Sequence, residues 1–316
     1  MKTTPVTPAD LRASVIAVPP MPRNADGSAF IDGNKRLLDH MRSGGVTSYM
    51  YGGNANFYNL GVKEFDAVVG ALSSLLSDDD WLIPSVGPDY GKAAEQLDLL
   101  RDHPLPTAMV LPLRFPSSPG GVATGLRKLA ERYGKPLITY MKDEGYIAEA
   151  DMAALVKDGC VCAIKYAIVR DNPREDHVLA SLVDRLGTDL IISGIGERPV
   201  IDHFEVFGLR SFTSGSGCVA PALANRIREA LLHGHNDIAE QARELFIPLE
   251  DARDAFSPIR VLHSAVAAAG IAETGPMGEF LAVIEEARLQ QHIAEVAKNL
   301  FALEAQARQA MTHTVA

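Results

Sequence analysis

The sequence predicts an α/β fold, a (β/α)8 TIM barrel followed by a C-terminal three-helix extension. Short, β-branched apolar runs alternate eight times with longer amphipathic stretches, and after the eighth repeat only helical patterns remain. Parallel strands that are buried on both faces have near-continuous apolar runs of this kind, and they need helical crossovers. A doubly wound open sheet has the same periodicity, but the count of eight favours the barrel. We expect the barrel in residues 1–234 and the extension, packed on it, in residues 235–316.

The elements follow one another in the order that such a barrel requires. The predicted strands are Ser14–Val18, Val46–Tyr51, Trp81–Val86, Ala108–Leu111, Leu137–Tyr140, Val161–Lys165, Leu190–Ser193 and Ser211–Ser214. The predicted barrel helices are Ile31–Ser43, Lys63–Ser77, Lys92–Arg101, Ala123–Tyr133, Glu149–Asp158, Arg174–Leu186, Arg198–Phe207 and Val219–His233. The extension is predicted to hold helices at Asp237–Ala255, Pro258–Ala269 and Glu279–Met311. Pro258 and Pro276 are expected at helix starts, and Gly270 at a helix end.

Composition narrows the class of protein and its partners. The 316 residues are 47% hydrophobic and 22% charged, as is ordinary for a soluble globular protein, and the net charge of −10 disfavours a nucleic-acid partner or an anionic membrane surface. We see neither a secretory signal pattern nor a spanning apolar run. The three cysteines, Cys160, Cys162 and Cys218, have neither disulfide-framework nor zinc-ligand spacing. We therefore expect a cytoplasmic protein whose cysteines do not bind a metal.

Two predicted strands end in side chains suited to chemistry. Lys165 closes an apolar run, where burial would lower its pKa and favour the neutral, nucleophilic amine; alternatively, its stem could carry the charge out to water. Tyr140 closes the preceding strand and could move protons beside that amine, although tyrosine is also common in strands for packing reasons. The strand ends of a barrel lie at its active-site face.

A glycine-rich loop follows the second predicted strand. It reads Tyr51-Gly-Gly-Asn-Ala-Asn-Phe-Tyr-Asn59, in which adjacent glycines would let backbone N–H groups approach an anion. Asn54 and Asn56 add side-chain donors to the same loop. A turn of this composition is also an ordinary surface loop, so alone it predicts little.

In this order the motifs resemble the dihydrodipicolinate synthase / N-acetylneuraminate lyase family of class I aldolases. The family's glycine-rich loop after the second strand is matched by Gly52-Gly-Asn-Ala-Asn56, its proton-shuttling tyrosine by Tyr140, and its Schiff-base lysine by the lysine of Ala163-Ile-Lys-Tyr166. Ser193-Gly194 and Ser214-Gly-Ser-Gly217 match the segments after strands seven and eight. The resemblance extends from about residue 15 through the C-terminal helices.

The resemblance implies which residues act. Lys165 would form an imine with a 2-keto acid, and Tyr140 would relay protons. The substrate-binding residues that it implies are Gly52, Gly53, Asn54, Asn56, Arg114, Ser193, Gly194 and Ser214. It implies no cofactor, because the iminium itself polarises the substrate, and it implies a homo-oligomer, a homotetramer or a dimer.

The sequence departs from the family pattern at several positions. Family loops usually carry Thr or Ser where this chain has Gly53 and Asn54, so backbone N–H groups and the Asn54 amide would hold the substrate carboxylate. Asn56 replaces the usual glutamate. Arg114 aligns with a tyrosine that dihydrodipicolinate synthases take from a neighbouring subunit, and it would bind substrate or form an interface ion pair. The family's arginine after the strand-five tyrosine is missing from residues 141–145, which removes the expected anchor for aspartate semialdehyde.

Several functions are compatible with these residues. The leading hypothesis is a lyase or aldolase acting on a pyruvate-derived 2-keto acid, for which a 2-keto-3-deoxy sugar acid is a candidate. A dehydratase of a 2-keto-3-deoxy acid would use the same imine, and dihydrodipicolinate synthase itself is the next alternative. A non-catalytic ligand-binding barrel belongs to another class, and the presence of both Lys165 and Tyr140 disfavours it.

Overall fold

The structure, a computed structural model, describes residues 1–314, and side chains are described up to residue 309. Its eight strands form one parallel sheet in the order β7-β6-β5-β4-β3-β2-β1-β8. The strands are β1 Ile16–Ala17, β2 Ser48–Tyr51, β3 Trp81–Val86, β4 Met109–Val110, β5 Leu137–Met141, β6 Val161–Tyr166, β7 Ile191–Ser193 and β8 Thr213–Ser214. Each of them overlaps a predicted strand, because these apolar segments are buried on both faces of the sheet.

The sheet curls into a nearly closed barrel. β1 pairs with both β2 and β8, and an isolated parallel bridge between Ser193 and Phe212 connects the segments of β7 and β8. The Ser193 N–H also donates to the Ser211 carbonyl at 3.0 Å. The predicted barrel is therefore confirmed.

Helices follow the strands around the outside of the barrel. They are α1 Pro8–Arg12, α2 Ile31–Ser43, α3 Val62–Ser74, α4 Tyr90–Leu100, α5 Pro119–Tyr133, α6 Glu149–Lys157, α7 His177–Leu186, α8 Val200–Glu205 and α9 Pro221–Leu232. The helix α1 precedes the barrel and was not predicted, although Pro8 stands at its first position. The other eight overlap the predicted barrel helices.

Local sequence signals fix several of the helix ends. α5 begins with Pro119 and stops at Gly134, whose φ of 72° is the left-handed conformation that glycine adopts at helix ends. α7 begins after Asp176, whose carboxylate accepts the N–H groups of Val178 and Leu179. The same carboxylate accepts the Tyr166 hydroxyl at 2.7 Å, so it ties α7 to the end of β6.

Within residues 235–314 the extension contains four helices, where three were predicted. They are α10 Asn236–Glu244, α11 Ile247–Phe256, α12 Pro258–Ala268 and α13 Ala287–Thr314. The predicted helix Asp237–Ala255 is divided at Leu245 and Phe246. Pro248 explains the break, because it has no N–H to donate and its ring would clash with the carbonyl of Glu244 in a continuous helix. The predicted start at Pro258 is confirmed, and Gly270 follows the end of α12 with a φ of 74°.

The last predicted helix begins too early. Residues 271–286 are irregular, and no helix starts at Pro276. Side chains from other elements bind the carbonyl groups of this segment: Arg260 donates to those of Ala282 and Val283, at 2.6 and 3.1 Å, and Asn59 donates to that of Glu279 at 2.9 Å. These tertiary bonds replace the intrahelical bonds that the apolar periodicity predicted.

The change from alternating elements to helices alone falls between α9 and α10, near the predicted domain boundary at 234/235, which remains a prediction. Within residues 1–314, we find no helix with the length and apolar character needed to cross a membrane.

Candidate active site

A cavity of about 340 Å³ opens where the strands end, at the face on which barrel enzymes carry their active sites. This volume lies at the lower end of the range of about 300–1,000 Å³ for small-molecule sites. Residues at the ends of β1, β2, β5, β6, β7 and β8 line it, together with residues from α11 and the start of α12. Among them are Val18, Gly53, Asn54, Tyr58, Tyr140, Lys142, Lys165, Ala167, Gly194, Ile195, Thr213, Gly215, Glu250 and Arg253.

Lys165 lies on β6 and is only 5% exposed. It pairs in register with Tyr140 on β5, and its Nζ lies 4.4 Å from the centroid of the Tyr140 ring. No other described residue hydrogen-bonds to this Nζ. Burial, and next the nearby positive charges of Lys142 and Arg253, lower the pKa of Lys165 to about 7. A substantial fraction of this amine is therefore neutral at neutral pH, as a nucleophile requires.

Gly194, at the end of β7, makes room for the stem of Lys165. A Cβ at this position would lie 2.8 Å from Lys165 Cγ and 2.7 Å from the Tyr166 carbonyl oxygen. The Gly194 N–H donates to that same carbonyl at 2.6 Å, so the backbone has little freedom to move away. The sequence-predicted Gly194 thus lines the cavity and shapes the position of the amine.

Gly194→Ala is expected to displace the Lys165 stem and to slow formation of a carbonyl adduct on Lys165 by about 10-fold or more, because small misplacements of reacting groups are costly. The measurement is the rate of adduct formation with pyruvate under reductive trapping. Gly91→Ala is the matched control, since a Cβ at Gly91 meets no atom within 4 Å. A Gly194→Ala protein that reacts as fast as the Gly91→Ala protein would contradict this account.

Tyr140 is well placed to exchange a proton in the cavity. Burial, and next the negative charge of Asp143, raise its pKa to about 12, although the positive charge of Arg114 opposes this increase. The phenol is therefore protonated at neutral pH. Its hydroxyl forms no hydrogen bond to another described residue, which leaves it available to a ligand.

The loop after β2 contributes only part of its predicted set to the cavity. Gly53 and Asn54 line it, whereas Gly52 and Asn56 do not. Gly52 packs against Ser85, whose Oγ would lie 2.7 Å from a Cβ at this position. Asn56 is buried with a left-handed φ of 57°, and its Nδ2 donates to the Glu279 carbonyl at 3.0 Å. These two residues shape the loop, and this placement does not support their predicted contact with substrate.

The loop still presents hydrogen-bond donors to the cavity. Asn54 uses its side-chain Nδ2 to donate to the Val18 carbonyl at 2.6 Å, so this donor is already occupied. The backbone N–H groups of Gly53 and Asn54 donate to no backbone or side-chain acceptor in the described part of the chain. Of the predicted carboxylate donors, the two backbone amides are thus the ones free to bind an anion.

Two other predicted binding residues, Ser193 and Ser214, lie outside the cavity. Ser193 is buried behind the wall with its Oγ 2.8 Å from His203 Nδ1. Ser214 is also buried: its hydroxyl donates to Glu197 and accepts the Gly217 N–H. Their placement supports the wall and does not support direct contact with substrate.

Arg114 lies at the surface. Its side chain is 66% exposed and forms a bidentate ion pair with Asp143, at 2.7 and 2.8 Å. It lines a separate, shallow depression with Glu144 and Tyr146. In this chain Arg114 therefore binds Asp143 at the barrel mouth rather than facing Lys165.

Several cavity residues were not predicted, of which Arg253 is the most informative. It belongs to α11 in the extension, yet it is 8% exposed and lines the cavity together with Glu250. These two residues are three apart in a helical pattern, which in the sequence is typical of an exposed ion pair. Only the packing of α11 against the barrel shows that they face inward.

Among residues 1–309, no group of three or more His, Cys, Asp or Glu side chains is arranged to hold a metal ion. Cys160, Cys162 and Cys218 are free thiols.

Comparison with known proteins supports the fold. No protein-family model matches the chain, and no curated protein sequence matches it either. Solved structures do match. Dihydrodipicolinate synthase from Bacillus clausii is 21% identical with a TM-score of 0.81, over 92% of this chain and 98% of that one. N-acetylneuraminate lyase from Mycoplasma synoviae is 13% identical with a TM-score of 0.77, over 92% of this chain and 99% of that one. At these identities the likeness shows a shared fold, and it confirms the predicted resemblance at that level.

Proposed function

We propose that this protein is a Schiff-base-forming lyase or aldolase that acts on a pyruvate-derived 2-keto acid through Lys165. The observation that carries the proposal is the buried Lys165 amine, which stacks on Tyr140 in the cavity at the strand ends and has a pKa near 7. Such an amine has a desolvation cost that a purely structural lysine would avoid. The fold shared with dihydrodipicolinate synthase and N-acetylneuraminate lyase structures supports the same reaction class.

The residues account for each step of the reaction. Neutral Lys165 attacks the ketone carbon, and Tyr140 donates its proton to the carbinolamine oxygen, which leaves as water and gives an iminium. The Tyr140 phenolate then takes the proton of the substrate's C4 hydroxyl as the C3–C4 bond breaks. The bonding electrons flow into the iminium to form an enamine, and the aldehyde departs. Protonation of the enamine at C3 and hydrolysis of the imine release pyruvate and free Lys165.

The amides of Gly53 and Asn54 would hold the carboxylate next to the ketone. This contact orients the carbonyl carbon toward Lys165 and lowers the entropic cost of the attack. A dehydratase would use the same imine but break a C–O bond, so product analysis separates the two: the lyase releases pyruvate, and the dehydratase keeps the carbon chain intact.

The direct test is intact-mass spectrometry after incubation with pyruvate and borohydride, followed by peptide mapping. The proposal expects one reduced pyruvyl group on Lys165 and none on Lys142, the other lysine of the cavity. A folded protein that gives no adduct with pyruvate or larger 2-keto acids would contradict the proposal and would favour a non-catalytic barrel. An adduct on any other lysine would reassign the site.

We expect pyruvate turnover to fall at acidic pH. Imine formation at Lys165 should also catalyse exchange of the pyruvate C3 hydrogens with deuterium from solvent, through the enamine. Because the amine protonates below a pKa of about 7, kcat/KM for this exchange should fall by about 100-fold from pH 8 to pH 5. NMR of pyruvate in D2O buffers measures it.

The pH at which kcat/KM for this exchange begins to fall, the inflection of its pH profile, can be tested with a matched pair of variants. Lys142→Met removes one of the positive charges that depress the Lys165 pKa and should move the inflection to higher pH. Lys157→Met, on the exposed end of α6, should leave it in place. An inflection near the ordinary lysine pKa of about 10.4 would show that Lys165 is not the reacting amine.

The remaining predictions concern assembly and location. A homotetramer or a dimer is expected from the likeness to the enzymes named above, and light scattering after size-exclusion chromatography measures the oligomeric state. A cytoplasmic location and the lack of a nucleic-acid or membrane partner remain predictions from composition.

A further inference from the structure

The helical extension contributes a cation to the lining of the cavity. Arg253 extends from α11 to line the same cavity as Lys165, and its positive charge is close enough to lower the pKa of that lysine. An arginine that is 8% exposed is unusual unless its charge is compensated or binds a ligand.

One side of this guanidinium is hydrogen-bonded to the protein, and the other side is not. Arg253 Nη1 donates to Glu250 Oε1 at 2.6 Å and to Ser216 Oγ at 3.4 Å, and its Nε donates to the Pro258 carbonyl at 3.3 Å. Nη2 donates to no group in the described part of the chain. It lies beside Gly215, where a Cβ would be 2.6 Å from Nη2. The same Cβ would be 2.9 Å from Cζ and 3.0 Å from Nη1, so Gly215 makes room for the guanidinium in the cavity wall.

The charges around Arg253 are balanced before any substrate binds. Glu250 forms the ion pair and accepts the Ser216 hydroxyl. Glu197 lies behind it, fully buried, with an Oε2 that has no partner among the described residues. Burial, and next the negative charge of Glu250, raise the pKa of Glu197 to about 8, so that this carboxyl is mainly neutral at pH 7. The group formed by Arg253, Glu250 and Glu197 is therefore neutral overall. Nη2 of Arg253 remains available to bind an incoming anion. The other acidic side chain of the cavity, Asp254, is paired with Arg198 at 2.6 Å.

The cavity thus has two separate groups of anion donors. The free N–H groups of Gly53 and Asn54 follow β2, and Arg253 Nη2 lies by Gly215 after β8, on the other side of β1. A 2-keto acid with one carboxylate would use only one of them. We infer that the substrate is a 2-keto acid with a second carboxylate, and that Arg253 binds this second, remote carboxylate. The inference rests on the proposed function, since it takes the keto acid to be bound at Lys165.

The chemistry of the products follows. If the C3–C4 bond of such a substrate breaks, the second carboxylate remains with the leaving aldehyde. The aldehyde product would then be an acid itself, bound by Arg253 until release. A guanidinium suits this task because it stays charged and presents paired N–H donors to a carboxylate.

The test compares keto acids of equal length by reductive trapping on Lys165. The probes are 2-oxo dicarboxylates of four to six carbons (oxaloacetate, 2-oxoglutarate, 2-oxoadipate) and the 2-oxo monocarboxylates of the same lengths, with pyruvate as reference. For at least one length, the dicarboxylate should reach half-maximal trapping at a concentration about 10- to 100-fold lower, as one charge-assisted contact provides.

The variant that removes the arginine must not leave a buried, unpaired carboxylate. Arg253→Gln is therefore combined with Glu250→Gln, which keeps both side-chain volumes and permits an amide pair. Circular dichroism and thermal unfolding verify that the double variant folds. Arg243→Gln combined with Glu240→Gln removes an ion pair of α10 that has the same spacing but does not line the cavity; this double variant is the control and should keep the preference.

The outcomes are distinct. The inference expects the double variant to lose the dicarboxylate preference, measured as the ratio of the half-maximal concentrations of the monocarboxylate and the dicarboxylate of equal length. A change in the reactivity of Lys165 affects both keto acids alike and cancels in this ratio. It is overturned if the wild type shows no preference at any length, or if the double variant loses pyruvate and dicarboxylates equally; in both cases the pyruvate adduct still supports the proposed function. If the wild type gives no adduct with any keto acid, the proposed function itself fails, and the inference with it.

Discussion

Lys165→Met should abolish both the pyruvate adduct and the exchange of pyruvate hydrogens, while making the protein more stable. Methionine fills the space of the lysine stem but has no amine, so no imine can form. The native amine is buried, and no hydrogen bond to another described residue compensates for it, whereas a thioether suits an apolar site. The catalytic group is thus expected to lower the stability of the fold, a common trade-off at active sites.

The pH dependence of this stability gain has a definite sign. The Lys165 pKa is about 7 in the folded protein and near 10.5 when unfolded, so the unfolded chain binds the proton more tightly. The destabilisation is therefore fully present below pH 7. It declines as the pH rises above 7 and is gone above the unfolded pKa. At pH 7, the free energy of unfolding of Lys165→Met should exceed that of the wild type by about 2–4 kcal/mol. Urea unfolding at pH 6, 7 and 9 measures it.

Lys142→Met is the control for Lys165→Met. It removes the other cavity lysine and should keep the adduct on Lys165. A Lys165→Met protein that is less stable than the wild type would indicate a structural lysine, and an adduct that persists in that variant would place the imine elsewhere.

The barrel was predictable because its elements are local patterns. A strand that is buried on both faces has an apolar sequence, and each such segment is followed by an amphipathic stretch. The order and the number of strands and helices could therefore be read from the sequence. The extension was less predictable, since its breaks depend on particular contacts. Residues 279–286 have a helical pattern, but Arg260 and Asn59 bind their carbonyl groups. Pro248 was visible in the sequence and should have divided the helix predicted at Asp237–Ala255.

The residues of the candidate active site were also only partly predictable from the sequence. Lys165 and Tyr140 end neighbouring strands, and the register of a parallel pair brings such residues together, so their contact followed from the order of the strands. Ser193 and Ser214 also lie at strand ends, but their side chains point behind the wall, which no loop pattern reveals. Arg253 came from outside the barrel sequence altogether.

Arg253 also changes one sequence-based argument. The lack of an arginine just after Tyr140 argued against a carboxylate-bearing aldehyde, because the expected anchor was missing. The structure shows a guanidinium in the cavity that comes from α11 instead. One residue type can thus reach the same cavity from different elements of the fold, and a missing motif residue does not exclude the chemistry that it serves.

Tyr140→Phe should slow pyruvate hydrogen exchange by about 100- to 10,000-fold, the usual contribution of a positioned general acid or base. Phenylalanine keeps the ring on which the Lys165 amine rests, so the amine should hold its place and its low pKa. What is lost is the proton that lets water leave the carbinolamine. Because a pKa near 12 keeps this phenol protonated at neutral pH, Tyr140 of the wild type can act as a general acid from the start of the reaction. Adduct formation should therefore slow as well, but under prolonged trapping it should still reach completion on Lys165.

Tyr146→Phe separates this role from the general loss of a tyrosine near the barrel mouth. Tyr146 follows the same strand, and burial raises its pKa to about 12 as well, but it lines the surface depression beside Arg114 rather than the cavity. Its variant should exchange pyruvate hydrogens at the wild-type rate. If Tyr140→Phe did the same, the proton would have to come from another donor of the cavity, and Tyr58, whose pKa burial also raises, would be the next to replace. If Tyr140→Phe slows the exchange and Tyr146→Phe does not, the proton donor is Tyr140, which pairs in register with Lys165.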